Sequence, residues 1–178
     1  MCFRCRGPDQ TRDCARELAK AIGAGGLVVS LAGPLGAGKT VFVKGLADGL
    51  GLDPEAVSSP SFAIAHEYPG PGGRRLAHVD LYRIQSVGEL EDAGFLDLLE
   101  PAAVVAVEWG DRFPEALPRD RLDLCLTRVA ADSGRTATAT GADAEGRRIA
   151  ARAGGARSNA VLSSWRRGLL SSALVELE

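Results

Sequence analysis

The sequence has no long apolar run and no excess of positive charge. Its apolar segments fall short of the roughly 20 residues that a membrane-spanning helix needs. Residues 1–6 lack the apolar centre of a secretory signal, so we expect a cytoplasmic protein that does not contact a membrane. The 21 basic and 23 acidic residues give a net charge of −2, which disfavours stand-alone binding of DNA or RNA through phosphates.

Cysteine is scarce as well, with four residues in a chain of 178, too few to suggest a disulfide framework. The four are Cys2, Cys5, Cys14 and Cys125. Cys2 and Cys5 form a CxxC pair, but a structural zinc site needs four ligands, and the remaining candidates are scattered. We expect these two thiols to be exposed on a flexible N-terminal extension, residues 1–8, that precedes a single domain over residues 9–178.

Residues 33–40, Gly-Pro-Leu-Gly-Ala-Gly-Lys-Thr, match the pattern GxxxxGK[ST] between an apolar run and a helical pattern. Glycines let successive backbone N–H groups converge on phosphate oxygens, and the helix N-terminus behind them adds a positive dipole. Lys39 would reach the β- and γ-phosphates of a nucleotide, and the hydroxyl of Thr40 would ligate Mg²⁺. The motif predicts a P-loop for a nucleoside triphosphate. Its cradle comprises Gly33, Gly36, Ala37 and Gly38.

Hydrolysis of a triphosphate also needs a carboxylate that holds the metal shell and orients a water molecule. Glu108 ends the apolar run 104–107, and Asp80 ends the strand-like segment 76–79. Because parallel strands in an open α/β sheet bring their carboxyl ends to one crevice, we expect both acids beside the P-loop. The predicted catalytic residues are Lys39, Asp80 and Glu108, and the predicted metal ligands are Thr40 and Glu108.

The hydrophobic periodicity predicts helices alternating with short strands. Thr11 is expected to cap a first helix that ends before Gly23. An apolar stripe on the predicted C-terminal helix favours core packing, with a partner-binding face as the alternative. The other predicted helices cover residues 39–50 and 87–100, and the C-terminal one covers residues 157–178. Strands are predicted at residues 27–32, 62–68, 75–79, 102–107, 122–127, 135–140 and 147–151.

The spacing of these elements predicts the fold class. The last three strands are too close together for βαβ crossovers and suit antiparallel hairpins. The earlier strands alternate with helices, as in a parallel sheet. The expected fold is α/β: a P-loop NTPase-like mixed sheet flanked by helices, with an antiparallel strand meander in the second half.

Four further segments follow the P-loop in a recognisable order. They are residues 59–62 (SPSF), 78–83 (HVDLYR), 89–95 (ELEDAGF) and 107–109 (VEW). Together with the P-loop they resemble the bacterial TsaE (YjeE) family, whose motifs read SPT[FY], HxDLYR, EL…G and VEW. The resemblance runs from about Asp9 to Ile149, so it covers most of the chain.

This resemblance implies a slow ATPase that works with TsaB and TsaD in making threonylcarbamoyladenosine in tRNA, with ATP and Mg²⁺ as cofactors. The partners would hold the tRNA, because this chain lacks a basic field. Ser61 would sense the γ-phosphate or Mg²⁺ from a switch loop. Trp109 would pack near the nucleotide, near a partner or in the core. The other implied nucleotide contacts are Thr11, Val41, Gly134 and Arg135. His66 and His78 are expected to be structural, since no third group orients them.

The chain departs from the family pattern at Pro34, Val41 and Ser61, which removes a backbone N–H, a hydroxyl and a methyl group near the phosphates. Two other interpretations of the P-loop stay open. One is a small-metabolite kinase, although the hairpin-rich second half offers no clear Arg-bearing lid. The other is a nucleotide-gated adaptor that scarcely hydrolyses ATP. A GTPase is disfavoured, because a single Asn and three Lys residues cannot assemble the [NT]KxD guanine motif.

Overall fold

The structure, a computed structural model, describes residues 1–60, 63–129, 146–175 and 178. The helices in these ranges are α1 (Pro8–Ile22), α2 (Lys39–Leu50), α3 (Val87–Asp92) and α4 (Ala156–Ser171). The strands are β1 (Cys2–Cys5), β2 (Leu27–Ala32), β3 (Ala65–Pro69), β4 (Arg75–Asp80), β5 (Ala103–Glu108), β6 (Leu122–Val129) and β7 (Gly146–Ala153). Short 3₁₀ segments lie at Pro71–Gly73, Phe95–Leu98 and Gly110–Arg112.

These strands form one sheet in the order β1-β7-β6-β2-β5-β4-β3. Its centre is parallel, since β2 lies between β6 and β5, and β4 lies beside β5. Its edges are antiparallel, with β3 on β4 at one side and β7 between β6 and β1 at the other. The predicted mixed α/β sheet is confirmed. Its antiparallel part in the second half consists of β6 and β7, and the further strand predicted at residues 135–140 lies outside the described residues.

Apolar side chains cover both faces of the sheet, as expected for central parallel strands. On one face, Val29 and Leu31 of β2 pack in a core shared with α1, α2 and α4. On the other face, Val28 packs in a second core with Leu90 of α3 and with Phe95. A shift of one residue would exchange these faces, so the two cores fix the register of the central strands. All of these strands then end at the same edge of the sheet.

Helices α1 and α2 approach closely because two glycines of α2 face α1. A Cβ atom on Gly45 would lie 2.3 Å from the carbonyl oxygen of Arg12. A Cβ atom on Gly49 would lie 2.6 Å from the Cβ of Ala19. Side chains at these positions would push the helices apart, and α2 begins at the glycine-rich loop. The packing of α1 therefore helps to set the position of that loop.

The N-terminal segment differs from its prediction. The sequence predicts a flexible extension over residues 1–8, but the structure places four of these residues in β1, paired with β7. Phe3 is fully buried, and its ring centroid lies 5.4 Å from that of Trp165 on α4. The prediction of a flexible extension is wrong because the exposed edge of β7 offers backbone hydrogen bonds to this short segment. A pattern of four residues does not reveal such a distant partner.

The two thiols of the CxxC pair also lie in different surroundings. Cys5 is buried, and its Sγ lies 3.6 Å from the Sγ of the buried Cys14. Cys2 is half-buried and donates through Sγ to a carboxylate oxygen of Glu178 at 3.4 Å. The expectation that both thiols are exposed is therefore wrong for Cys5. No group of three His, Cys, Asp or Glu side chains suited to a metal occurs in the described ranges.

Three helix boundaries differ from the predictions. Helix α1 begins at Pro8 rather than after Thr11, because the first turn does not need the N–H that proline lacks. The helix predicted over residues 87–100 is interrupted at Gly94, whose φ is 76°, so α3 ends at Asp92 and a 3₁₀ segment follows. Helix α4 ends at Ser171, short of its predicted range. None of the helices in the described ranges is long and apolar enough to cross a bilayer.

Candidate functional site

A cavity of about 590 Å³ lies where β2, β4 and β5 end. The loop between β2 and α2 forms one wall. Asp80 and Glu108, which end β4 and β5 and are register partners, lie on another. The structure thus brings together eight of the residues that the sequence singled out: Gly36, Gly38, Lys39, Thr40, Val41, Asp80, Glu108 and Trp109.

Glycines shape the loop between β2 and α2. Gly33 has a φ of 135°, and a Cβ atom there would lie 2.2 Å from the carbonyl oxygen of Leu126. Gly38 has a φ of 101° and caps the N-terminus of α2. L side chains rarely adopt such conformations, so these glycines determine the path of the loop. Ala37 is fully buried, and its N–H donates to the carbonyl of Pro34 at 3.1 Å, so Ala37 supports the loop from beneath.

The amine of Lys39 lies across the mouth of this loop. Its Nζ donates to the carbonyl oxygens of Gly33 at 2.8 Å and Pro34 at 3.1 Å. It also lies 3.9 Å from the ring centroid of Trp109, at a cation–π distance. Burial lowers the pKa of Lys39, although the nearby carboxylates, of which Glu108 has the largest effect, act in the opposite direction. Carbonyl dipoles and an aromatic ring bind a cation weakly. A negatively charged ligand can therefore replace them as partners of Lys39.

Glu108 is only 4% exposed and accepts two hydrogen bonds on the same oxygen. Thr40 Oγ1 donates to Glu108 Oε1 at 2.7 Å. The Nε2 atom of the fully buried His78 lies 2.9 Å from the same oxygen. Because a carboxylate only accepts, Nε2 carries the proton in this arrangement. His78 therefore orients the carboxylate that faces the start of α2, and its Nδ1 has no hydrogen-bond partner among the described residues.

Asp80 is held by one hydrogen bond on each carboxylate oxygen. Ser59 Oγ donates to Oδ2 at 3.1 Å, and the backbone N–H of Tyr82 donates to Oδ1 at 2.9 Å. Ser59 belongs to the segment before β3, so this bond joins that segment to the end of β4. Asp80 is thereby fixed at the cavity wall next to Glu108.

Trp109 continues from Glu108 in a left-handed conformation, with a φ of 61°. This conformation is uncommon for an aromatic residue and is a feature of functional sites. Its N–H donates to the carbonyl of Leu31 at 2.8 Å, which ties it to the end of β2. Its ring lies 5.1 Å from that of Tyr82, centroid to centroid. Trp109 lies at the cavity, next to Lys39, and it also packs against the second core.

The sequence model of the family described as "Threonylcarbamoyl adenosine biosynthesis protein TsaE" matches residues 5–137. This range includes the loop and both acids. The chain belongs to the TsaE family.

Individual TsaE proteins agree with this assignment. The tRNA threonylcarbamoyladenosine biosynthesis protein TsaE of Streptomyces coelicolor is 44% identical over 73% of this chain and 89% of its own length. The protein of the same name from Bacillus subtilis is 39% identical over 73% of this chain and 79% of its own. A crystal structure of Bacillus subtilis YdiB aligns with a TM-score of 0.65 and 30% identity, covering 94% of both chains.

The remaining contacts that the TsaE resemblance implied are Thr11, Ser61, Gly134 and Arg135. Thr11 is fully buried inside α1, where its hydroxyl donates to the carbonyl of Gly7 at 2.8 Å, and it does not line the cavity. This follows from the earlier start of α1, which turns Thr11 toward the helix backbone and the core. Ser61, Gly134 and Arg135 lie outside the described residues.

Several residues at or beside the cavity of this TsaE-family chain were not assigned a site role from sequence. Among them are Ser59, His78, Tyr82 and Arg147. The first three belong to the motifs quoted above. The sequence shows that these residues are present, but it does not show which groups they contact. Arg147 stands in a weak strand pattern, which signalled a strand and nothing about a site.

Proposed function

We propose that this chain binds ATP with Mg²⁺ in the cavity and hydrolyses the ATP in the cytoplasm, in support of threonylcarbamoyladenosine formation in tRNA with TsaD and TsaB. One observation carries the proposal. The hydroxyl of Thr40 lies 2.7 Å from the carboxylate of Glu108, and both line the cavity with the amine of Lys39. A cation, a hydroxyl and a carboxylate around a glycine-rich loop are the groups that triphosphate hydrolysis requires.

The residues present fit a magnesium-bound triphosphate. Without a Cβ at Gly36 or Gly38, the loop leaves its backbone accessible beside the N-terminus of α2, where the helix dipole favours an anion. Mg²⁺ prefers oxygen ligands, which Thr40 and Glu108 supply at one point. When bound, the ion would neutralise phosphate charge and polarise the phosphoryl group.

The other side chains of the site have definable tasks. Lys39 would transfer its hydrogen bonds from two loop carbonyls to phosphate oxygens, because a charged acceptor binds an ammonium group more strongly than a carbonyl does. His78 keeps Glu108 in place by donating from Nε2. Asp80, held by Ser59 and by the N–H of Tyr82, supplies a second carboxylate toward which a water molecule could be oriented.

Two findings support the biological part of the proposal. The family match and the names of the relatives refer to threonylcarbamoyladenosine biosynthesis. The net charge of −2 gives this chain little capacity to hold tRNA by itself, so partners would bring the tRNA. We therefore assign ATP hydrolysis to this chain, and tRNA binding and threonylcarbamoyl transfer to TsaD and TsaB.

The test is the rate of phosphate release from Mg-ATP, measured with the chain alone and with TsaB and TsaD added. We expect slow release by the chain alone and faster release with the pair. Omission of Mg²⁺ should abolish release in both conditions. ATP binding without turnover in either condition would contradict hydrolysis and favour the adaptor. Absence of stimulation, together with phosphate transfer to a metabolite, would favour the kinase.

A further inference from the structure

Arg147 on β7 contributes to the cavity from the side opposite the two acids' strands. It is 6% exposed, yet it lines the cavity. In the sheet it is the register partner of Cys5 on β1 and of Arg128 on β6. Cross-strand partners project to the same face, so Arg128 and Arg147 leave the sheet together.

Both arginines lie against the glycine-rich loop. Arg128 Nε donates to the carbonyl of Gly36 at 3.0 Å. A Cβ atom on Gly38 would lie 3.4 Å from Arg147 Nε. The side chain of Arg147 therefore packs beside Gly38, the residue that caps α2. The β6–β7 pair thus places two guanidinium groups beside the part of the loop where a phosphate would bind.

A guanidinium group in this position has a specific chemistry. Arginine is always charged, and its planar fork matches phosphate oxygens with two parallel hydrogen bonds. Charge–charge interactions are stronger in a buried site than in water. The next residue, Arg148, points the other way, as alternation along a strand requires, and its 45% exposed side chain pairs with Glu178.

We propose that Arg147 binds a phosphate group of the nucleotide, and that Arg128 positions the loop through its bond to Gly36. The inference rests on the proposed nucleotide function and adds a binding residue to it. Arg147 lies beyond residues 5–137, the range of the family match, on a strand that carries none of the quoted motifs. The contact between Arg147 and phosphate makes β7 a part of the phosphate site as well as a part of the sheet.

The test compares dissociation constants for Mg-ATP by isothermal titration calorimetry. Loss of one charged phosphate contact in Arg147→Gln should weaken binding by about 10- to 100-fold. Arg147→Lys keeps the charge but not the fork, so its loss should be smaller than that of Arg147→Gln. The matched control, Arg148→Gln, should bind within about twofold of the unchanged chain, because its side chain points to solvent. Arg147→Gln with affinity equal to that of Arg148→Gln would overturn the inference.

A measurement on the unchanged sequence keeps the test valid if Arg147→Gln does not fold. In ¹⁵N-labelled protein, the Nε–H resonance of Arg147, assigned by its absence in Arg147→Lys, should shift on saturation with Mg-ATP. The corresponding resonance of Arg148 should not. An unmoved Arg147 signal at saturation would refute the contact while leaving ATP binding intact. Failure of the unchanged chain to bind Mg-ATP would instead refute the proposed function.

Discussion

The central parallel strands and the antiparallel edge of the sheet contribute to this molecule in different ways. Strands β2, β4 and β5 end at the same edge of the sheet. Strand β4 ends at Asp80, β5 ends at Glu108, and β2 leads into the glycine-rich loop. At the edge, β1 and β7 pack under α4 and bury Phe3, Ile149 and Trp165.

The reason for this difference is strand direction. Parallel strands bring all their carboxyl ends to one side, so residues at their ends meet in space. Antiparallel strands alternate in direction, so β7 brings its N-terminal end to that side, and Arg147, the second residue of β7, lines the cavity from there. Substitutions at the centre should therefore change binding and turnover, whereas substitutions at the edge should change stability, with Arg147 as the exception.

The largest effect should come from the edge. Trp165 is fully buried, its indole N–H donates to the carbonyl of Cys14 at 2.8 Å, and its ring packs edge-on against Phe3 and Phe42. Trp165→Ala should lower the free energy of unfolding by about 3–5 kcal/mol, measured by urea denaturation followed by circular dichroism. Leu170→Ala, at a 52% exposed site on the same helix, should change it by less than about 0.5 kcal/mol. Equal losses in both variants would contradict the assignment of stability to this packing.

At the centre, Glu108→Gln should lower the ATPase turnover number by about 100-fold or more, because the amide lacks the charge that orients water and metal. Its oxygen can still accept from Thr40 and His78, so ATP affinity should stay within about fivefold. The measurements are steady-state phosphate release and equilibrium binding. Glu100→Gln, which removes only an exposed pairing with Arg75, is the control. Unchanged turnover in Glu108→Gln would remove this residue from catalysis.

A somewhat smaller effect is expected for Lys39→Ala, again at the centre. Loss of the ammonium group should weaken Mg-ATP binding by about 10- to 100-fold, since charged hydrogen bonds to phosphate disappear. Stability should change little, because the partners of the amine among the described residues are two loop carbonyls and the ring of Trp109, which bind a cation weakly. Lys20→Ala, which breaks a surface pair with Glu17, serves as the matched control. Tight ATP binding by Lys39→Ala would contradict the assignment of nucleotide binding to the centre of the sheet.

The smallest effect is expected at the edge of the sheet, where Asp120 contacts the N-terminus of α4. The carboxylate of Asp120 accepts the backbone N–H groups of Arg157 and Ser158, each at 2.9 Å. Hydrogen bonds from Ser158, followed by that from Arg157, lower the pKa of Asp120 below its ordinary value of 3.8. The folded state therefore gains stability above pH 3.8, and this gain is lost as the pH falls through the lowered pKa.

Asp120→Ala should accordingly cost about 1 kcal/mol of unfolding free energy at pH 7, as for other caps. The difference from the unchanged chain should shrink as denaturation is repeated below pH 3.8. Asp120→Asn keeps the acceptor without the charge, so its cost at pH 7 should be smaller than that of Asp120→Ala. This cost should also shrink in acid, because the pH dependence comes from Asp120 in the unchanged chain. A difference that grows in acid would contradict the assigned sign.

Much of the fold was predictable because its signals are local. Residues 33–40 predict their own loop, and the apolar run at β5 predicts a buried central strand with Glu108 at its end. The start of α1 was misjudged because Pro8 and Thr11 both suit a helix N-terminus, and only packing against the edge shows which one begins it. The strand at Cys2–Cys5 was missed because its hydrogen bonds lie with residues 147–150, far along the chain.

The sequence by itself determined the chemistry of the loop, since glycine, lysine and threonine act there through their own backbone and side chains within a few residues. It also determined that two acids end apolar strands. Only the tertiary structure decided which groups meet: His78 with Glu108, Ser59 with Asp80, and Arg147 with Gly38. These contacts depend on strand order and register, which two apolar cores fix across the whole chain and which no short segment encodes.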